Sequence, residues 1–205
     1  MTTLIIARHG NTFEAGQIPT RVGARTDIPL VESGREQARA IGRYLKSHDL
    51  IPDVVYASEL KRAQETARLA IKETGVTNPV YTLDIFNEID HGPDENKTAA
   101  EVAARIGTQA LKDWDERAIA PPGWKVDTTQ IIKNWQGFAE QIRAHDDNET
   151  VLVVTSNGIA RFAPHLTGDF EGFRKNHALK LSTGALAIFT YTDQRWLLKD
   201  WNISP

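Results

Sequence analysis

Short apolar runs and amphipathic helical stripes take turns along this chain. That alternation restricts it to an α/β sheet with helices packed on its faces. Residues 3–7 read as a buried strand, with Leu4-Ile5-Ile6-Ala7 as its apolar run. Ser33-Gly34-Arg35-Glu36 has the form of a capping box, and the helix it opens carries Ala38, Ile41 and Leu45 on one face. Pro52 and Asp53 lead into a second strand at residues 54–57. Ser58 then acts as N-cap to a helix whose stripe is Leu60, Ala63, Ala67 and Ala70. Gly75 ends that helix, and residues 80–86 form a third strand.

The rhythm breaks between residues 87 and 130. A polar loop, residues 90–97, precedes a second capping box, Thr98 with Glu101, and the stretch closes on the stiff turn Pro121-Pro122-Gly123-Trp124. We read it as an insertion over the top of the sheet within one domain spanning residues 1–205. A helix with Ile131, Trp135, Phe138 and Ile142 in register follows, then the most apolar strand, residues 151–154. Thr155-Ser156-Asn157-Gly158 opens another helix, and residues 185–190 and 195–201 form two final strands joined at Thr192-Asp193-Gln194. The expected fold is a three-layer α/β/α sandwich with a mostly parallel sheet.

Composition narrows the chemistry. With 40% apolar and 25% charged residues, the chain has the balance of a globular protein with a substantial core. A net charge of −3 argues against general nucleic-acid binding, which needs a basic face. No apolar stretch has the length of a membrane span, and the first residues carry neither a basic leader nor a long apolar run. A cytoplasmic enzyme is the expectation. The chain has no cysteine, which removes disulfides, thiolate zinc sites and cysteine nucleophiles together.

In open α/β sheets, ligands bind beyond the carboxyl ends of the strands. The first strand ends in Arg8-His9-Gly10-Asn11-Thr12, the second leads past Ser58 to Arg62, the third ends near Glu88, and the fourth ends at Ser156-Asn157-Gly158. Taken singly, each residue has an ordinary explanation. A histidine after a strand is usually structural, an arginine in a first helical turn is usually solvated, and Ser58 is explained as a cap. Their joint placement at strand tops is what points to a site for phosphate, a dianion that forked arginine donors and helix N-termini bind well.

Four ordered stretches resemble the histidine phosphatase superfamily, which includes the cofactor-dependent phosphoglycerate mutases. They are Arg8-His9-Gly10-Asn11-Thr12; Arg25-Thr26-Asp27-Ile28-Pro29-Leu30 with Ser33, Gly34, Gln37 and Ala38; residues 58–67 around Arg62; and residues 87–95 around Glu88. The resemblance implies a phosphoryl-enzyme mechanism in which His9 attacks phosphorus through a neutral ring nitrogen. Arg8 and Arg62 clamp the non-bridging oxygens, Glu88 serves as acid and then base, and Asn11, Thr12, Arg25, Ser58, His91 and Asn157 contact the substrate. The implied partner is a phosphorylated small molecule. No metal or other cofactor is called for, since the arginines supply the charge.

The same resemblance exposes a departure. Residues 153–161 match without gaps, and Ser156 stands where the family usually has a second histidine. Losing one such donor costs about 3 kcal/mol, on the order of a hundredfold in rate. Three outcomes follow from it: Ser156 or Asn157 donates instead, His91 fills the gap, or the pocket binds phosphorylated ligands without turnover. Hydrolysis is the leading expectation, with mutase-type phosphoryl transfer behind it. Residues 13–25 and 90–130 are expected to form the rim, where Arg21 and Arg25 either recognise an anionic group or remain solvated. Trp114, Trp124 and Trp135 either pack the insertion or line its inner wall. The aromatic end at Trp196 and Trp201, expected to be exposed, points to an edge-strand contact in a homodimer.

Overall fold

The computed structural model describes residues 1–145 and 148–205. The chain runs β1 (Thr2–Arg8), α1 (Glu32–Ser47), β2 (Val54–Ala57), α2 (Lys61–Thr74) and β3 (Val80–Thr82). It continues through α3 (Ala99–Ile106), α4 (Thr108–Arg117), α5 (Thr128–His145), β4 (Thr150–Thr155), α6 (Asn157–Ala160) and α7 (Phe170–Asn176) to β5 (Leu186–Thr192) and β6 (Arg195–Ile203). The strands form one sheet in the order β3-β2-β4-β1-β5-β6. The first four are parallel neighbours, and β5 and β6 add antiparallel at one edge.

Strand alternation divides the core between the two faces. Ile5 and Ala7 of β1 and Leu152 and Val154 of β4 face α1 and α2, meeting Ile41, Leu45, Ala63, Ala67 and Ala70. Leu4, Ile6, Val151 and Val153 face the other way, against Trp135, Phe138 and Ile142 of α5 and against Val102 and Trp114 of α3 and α4. The architecture is the expected three-layer sandwich with a mostly parallel sheet. Helices α3 and α4 share the core of the sandwich through these residues. Among the described residues, no helix is long and apolar enough to cross a membrane.

Several local expectations change. The third strand stops at Thr82, and residues Asp84–Phe86 form a 3₁₀ turn that swings Phe86 into the core. Thr155 donates to the Phe86 carbonyl, which ties this turn to the top of β4. The first capping box is absent. Helix α1 begins at Glu32, Ser33 falls inside the first turn where its Oγ accepts from Asn11, and Glu36 pairs with Arg39 and Arg43. Nor is Ser58 an N-cap. Helix α2 starts at Lys61, whose N–H is accepted by the distant Asp27 carboxylate. The Thr98–Glu101 capping box and the left-handed Gly75 terminus are present as expected. Trp196 is buried at 5% exposure and Trp201 is half-buried, donating to the Ala178 carbonyl, so these aromatic side chains pack onto the molecule and are not exposed as expected, while β6 itself is the edge strand of the sheet.

Candidate active site

A cavity of about 680 Å³ opens at the carboxyl end of the parallel strands. Of the expected residues, Arg8, His9, Asn11, Thr12, Glu88, His91 and Asn157 line it. They come from the end of β1 and from the segments that follow β1, β3 and β4, which leave the sheet at its carboxyl edge. His9 is held there by its own N–H, which donates to the Thr155 carbonyl of β4. Gly10 and Gly34 let the loop after β1 cross the start of α1. A Cβ on Gly34 would lie 2.1 Å from the Asn11 carbonyl oxygen, too close for any other residue. Gly10 N–H donates to Thr66 Oγ1, fastening the same loop to α2.

The His9 ring is constrained at both nitrogens. Nδ1 lies 2.8 Å from the Gly10 carbonyl, an acceptor only, so Nδ1 carries the proton and donates it. The lone pair therefore sits on Nε2, which accepts from Arg62 Nε at 3.2 Å. Burial, and then the positive charges of Arg62 and Arg8, hold the imidazole well below its ordinary pKa of 6.5. A neutral ring with an unprotonated Nε2 is the state a nitrogen nucleophile requires.

Arg8 donates through Nη1 to the Leu181 carbonyl, while its buried Nε has no partner among the described residues. Burial outweighs the pull of Glu88 and, with Arg62 adding to it, brings Arg8 down to about 10, so it remains a cation at neutral pH. Arg62 is fully buried and stands behind His9 rather than on the cavity wall. Its Nη1 and Nη2 donate to the Thr26 and Gly23 carbonyls. Glu88 accepts from the N–H groups of Ile89 and Gly158, which fix its carboxylate between the segment after β3 and the start of α6.

The remaining expected residues separate. Arg25 points out of the site, pairing with Asp90 and donating to the Gly92 carbonyl. Ser58 is fully buried and off the cavity, at 3.4 Å from the Leu60 N–H. Ser156 is also fully buried and off the cavity, and its hydroxyl has no hydrogen-bond partner among the described residues. Asn11 and Asn157 line the cavity with their carbonyl oxygens already engaged, by Thr183 Oγ1 and the Leu181 N–H. His91 lines the cavity with its ring edge-on to Trp124, and burial holds it below the ordinary pKa despite the pull of Glu88.

The fold adds residues that the strand-top pattern does not single out. Arg161 lines the cavity from beyond α6, stacked 4.0 Å over Trp114 and donating to the Trp114 carbonyl. Burial, against the pull of Asp115 and Glu88, brings it to about 10. Its sequence signal is a lone charge in the apolar run Ile159-Ala160-Arg161-Phe162-Ala163. Arg21 joins the wall with Trp114, Asp115, Lys180 and Thr183, so of the two rim arginines only Arg21 faces the site. Trp124 and Trp135 are packed in the core, whereas Trp114 is both packed and part of the wall.

Residues 4–204 match the model of the histidine phosphatase superfamily, branch 1. The chain belongs to that superfamily. It is 25% identical over 210 residues to an uncharacterised phosphatase PhoE of Bacillus subtilis, covering all of this chain and 96% of that protein. It is 26% identical over 207 residues to a 2,3-bisphosphoglycerate-dependent phosphoglycerate mutase of Bartonella quintana, covering 99% and 98% of the two chains. Its fold is similar to that of a mycobacterial glucosyl-3-phosphoglycerate phosphatase solved with vanadate. The TM-score is 0.78 at 22% identity, over 98% of this chain and 99% of the other. The relatives it matches include both phosphatases and phosphoglycerate mutases.

Proposed function

We propose that this chain hydrolyses phosphate monoesters through a phosphohistidine on His9. The observation that carries the reading is the locked tautomer: Nδ1–H on the Gly10 carbonyl, with the Nε2 lone pair left unprotonated beside two arginines. In the first step Nε2 bonds to phosphorus, the bond to the ester oxygen breaks, and Glu88 gives that oxygen a proton. Arg62 Nε–H, which now donates to Nε2, turns to a phosphoryl oxygen once that lone pair is used. Arg8, with an unpartnered Nε, donates to another, and Asn11, Thr12 and Asn157 shape the pocket. In the second step Glu88 takes a proton from water, the water oxygen bonds to phosphorus, and the P–N bond breaks to release phosphate.

On the resemblance set out in the sequence analysis, Ser156 stands where the family usually has a second histidine. With its hydroxyl buried away from the cavity, His91 is the imidazole that remains to donate to the phosphoryl group. His91→Ala is expected to lower turnover, and unchanged turnover would remove this role. The central test is hydrolysis of p-nitrophenyl phosphate by wild type and His9→Ala, with an acid-labile phosphoenzyme trapped only in the former. Equal activity in both would refute the reading, and phospho-ligand binding without turnover would make the protein a binding module.

Mutase-type phosphoryl transfer is the second reading, favoured by the full-length match to a phosphoglycerate mutase. A mutase must keep water from its phosphoenzyme. Here rim residues 14–19 are exposed beside the cavity, which supports hydrolysis. Incubation with 3-phosphoglycerate and a bisphosphate primer separates the two, since formation of 2-phosphoglycerate would favour the mutase.

A further inference from the structure

Arg62 is a fully buried cation. Among the described residues it forms no ion pair within salt-bridge distance, and its three nitrogens are met by neutral acceptors: His9 Nε2 and the carbonyls of Gly23 and Thr26. The direction in which this guanidinium points is therefore set by where the residue 23–26 turn places its carbonyls. The Thr26 N–H closes that turn on the Gly23 carbonyl at 3.3 Å.

The opposite side of the turn is occupied by one carboxylate. Glu95 has a side chain only 6% exposed. It accepts from the Gly23 N–H at 2.9 Å, the Arg25 N–H at 3.0 Å and Thr26 Oγ1 at 3.1 Å. The fit leaves no slack, since a Cβ on Gly23 would lie 2.6 Å from Glu95 Oε1 and 2.5 Å from His91 Nδ1. Two residues thus donate to Glu95 on one side and accept from Arg62 on the other. Hydrogen bonds arranged in series polarise one another, so the carboxylate strengthens the acceptors that hold the guanidinium. Asp27, the next residue, ties the turn to the first N–H of α2, one residue before Arg62.

We propose that Glu95 is a positioning residue for the nucleophile: its carboxylate holds the 23–26 turn, whose carbonyls aim Arg62 at Nε2 of His9. The proposal rests on the reading of His9 as nucleophile, and its consequences run through Arg62. Removing the carboxylate frees the turn, withdraws the guanidinium from His9, and misplaces a phosphoryl-binding donor.

The charged groups around His9 are Arg8 from its own strand, Arg62 from α2, and Glu88 from the segment after β3. Retreat of Arg62 lets the His9 pKa rise. Loss of the Glu95 negative charge acting directly would lower it, so the sign of the change identifies the route.

The test uses Glu95→Ala and Glu95→Gln, the second keeping an oxygen for part of the donor set. His9 is followed by ¹⁵N NMR titration of its ring, which needs no turnover. The expected result is an upward shift in Glu95→Ala with Glu95→Gln between it and wild type. In parallel, kcat/KM for p-nitrophenyl phosphate falls on the order of 100-fold in the alanine variant. An unmoved or lowered His9 titration overturns the proposal, whatever happens to melting temperature. Thr26→Val removes one donor to Glu95 while keeping the carbonyl for Arg62; a smaller upward shift is expected, and it decides the matter if Glu95→Ala does not fold. If His9→Ala turns out as active as wild type, the phosphatase reading fails, and the titration still judges the link from Glu95 to His9.

Discussion

Gly158→Ala places a methyl group where the Glu88 carboxylate stands. An ideal Cβ on Gly158 lies 2.2 Å from Glu88 Oε1, 3.0 Å from its Cδ and 2.9 Å from Ile89 Cγ1, whereas ordinary contact begins at 3.4 Å. The carboxylate must retreat by about 1 Å, a misplacement that costs on the order of 100-fold in a positioned catalytic group. The Gly158 N–H that holds Oε2 at 3.2 Å is disturbed by the same movement. Overpacking of this kind costs about 1–3 kcal/mol, so a melting curve run beside the assay separates lost stability from lost activity. The assay is kcat/KM, which reports the steps through phosphoenzyme formation, on an alkyl phosphate and on p-nitrophenyl phosphate. On the proposed mechanism the alkoxide leaving group needs the proton from Glu88 and the nitrophenolate hardly does. A loss on the order of 100-fold is expected for the alkyl ester, with less than about 10-fold for the aryl ester. Equal losses on both, or none, would refute the assignment of Glu88 as leaving-group acid.

The low His9 pKa has two consequences with defined signs. As the proposed nucleophile, His9 acts deprotonated, so the acid limb of kcat/KM should fall below 6.5, the ordinary histidine value, and a limb at or above it would contradict the buried, arginine-flanked ring. A depressed folded-state pKa also contributes stability that is present above the unfolded value and lost as pH falls from 6.5 toward the folded pKa; His9→Asn should flatten that part of the melting profile. Asp94→Ala tests the rim. Its buried carboxylate accepts from Trp124 Nε1 and pairs with Arg105, so the indole N–H loses its acceptor. A loss of about 1–3 kcal/mol is expected by thermal or urea melting, and an unchanged melt would show that the bond contributes nothing net.

Much of the scaffold is legible in the sequence. The alternation of residues 3–7, 54–57 and 151–154 with helical stripes reports burial on both faces of a sheet, a local pattern with a global meaning. The Thr98 capping box and the Gly75 terminus were legible because both are satisfied within a few residues of chain. The expectations for Ser33 and Ser58 failed for the converse reason. The acceptor for the first N–H of α2 comes from Asp27, 34 residues away, and nothing adjacent to Ser58 announces that. The third strand was cut short by the demand that Phe86 enter the core and deliver Glu88 to the sheet top.

The run Arg8-His9-Gly10-Asn11-Thr12 at the end of a buried strand, with Arg62 and Glu88 after the next two, points to groups that the fold gathers at one edge of the sheet, Arg62 lying behind His9 and off the cavity wall. Residue type and order along the chain carry that information, because strand ends in a parallel sheet converge on one edge. Which groups face the cavity was decided only by the tertiary structure. Arg25 and Arg21 are equivalent as letters in one loop, yet one pairs with Asp90 and the other lines the wall. Ser156 looks like a donor in the chain and is a buried hydroxyl in the fold, while Glu95, one acid among several in a polar loop, holds the turn beneath Arg62. Side-chain direction at these positions depends on partners distant in sequence, and those partners meet only when the fold closes.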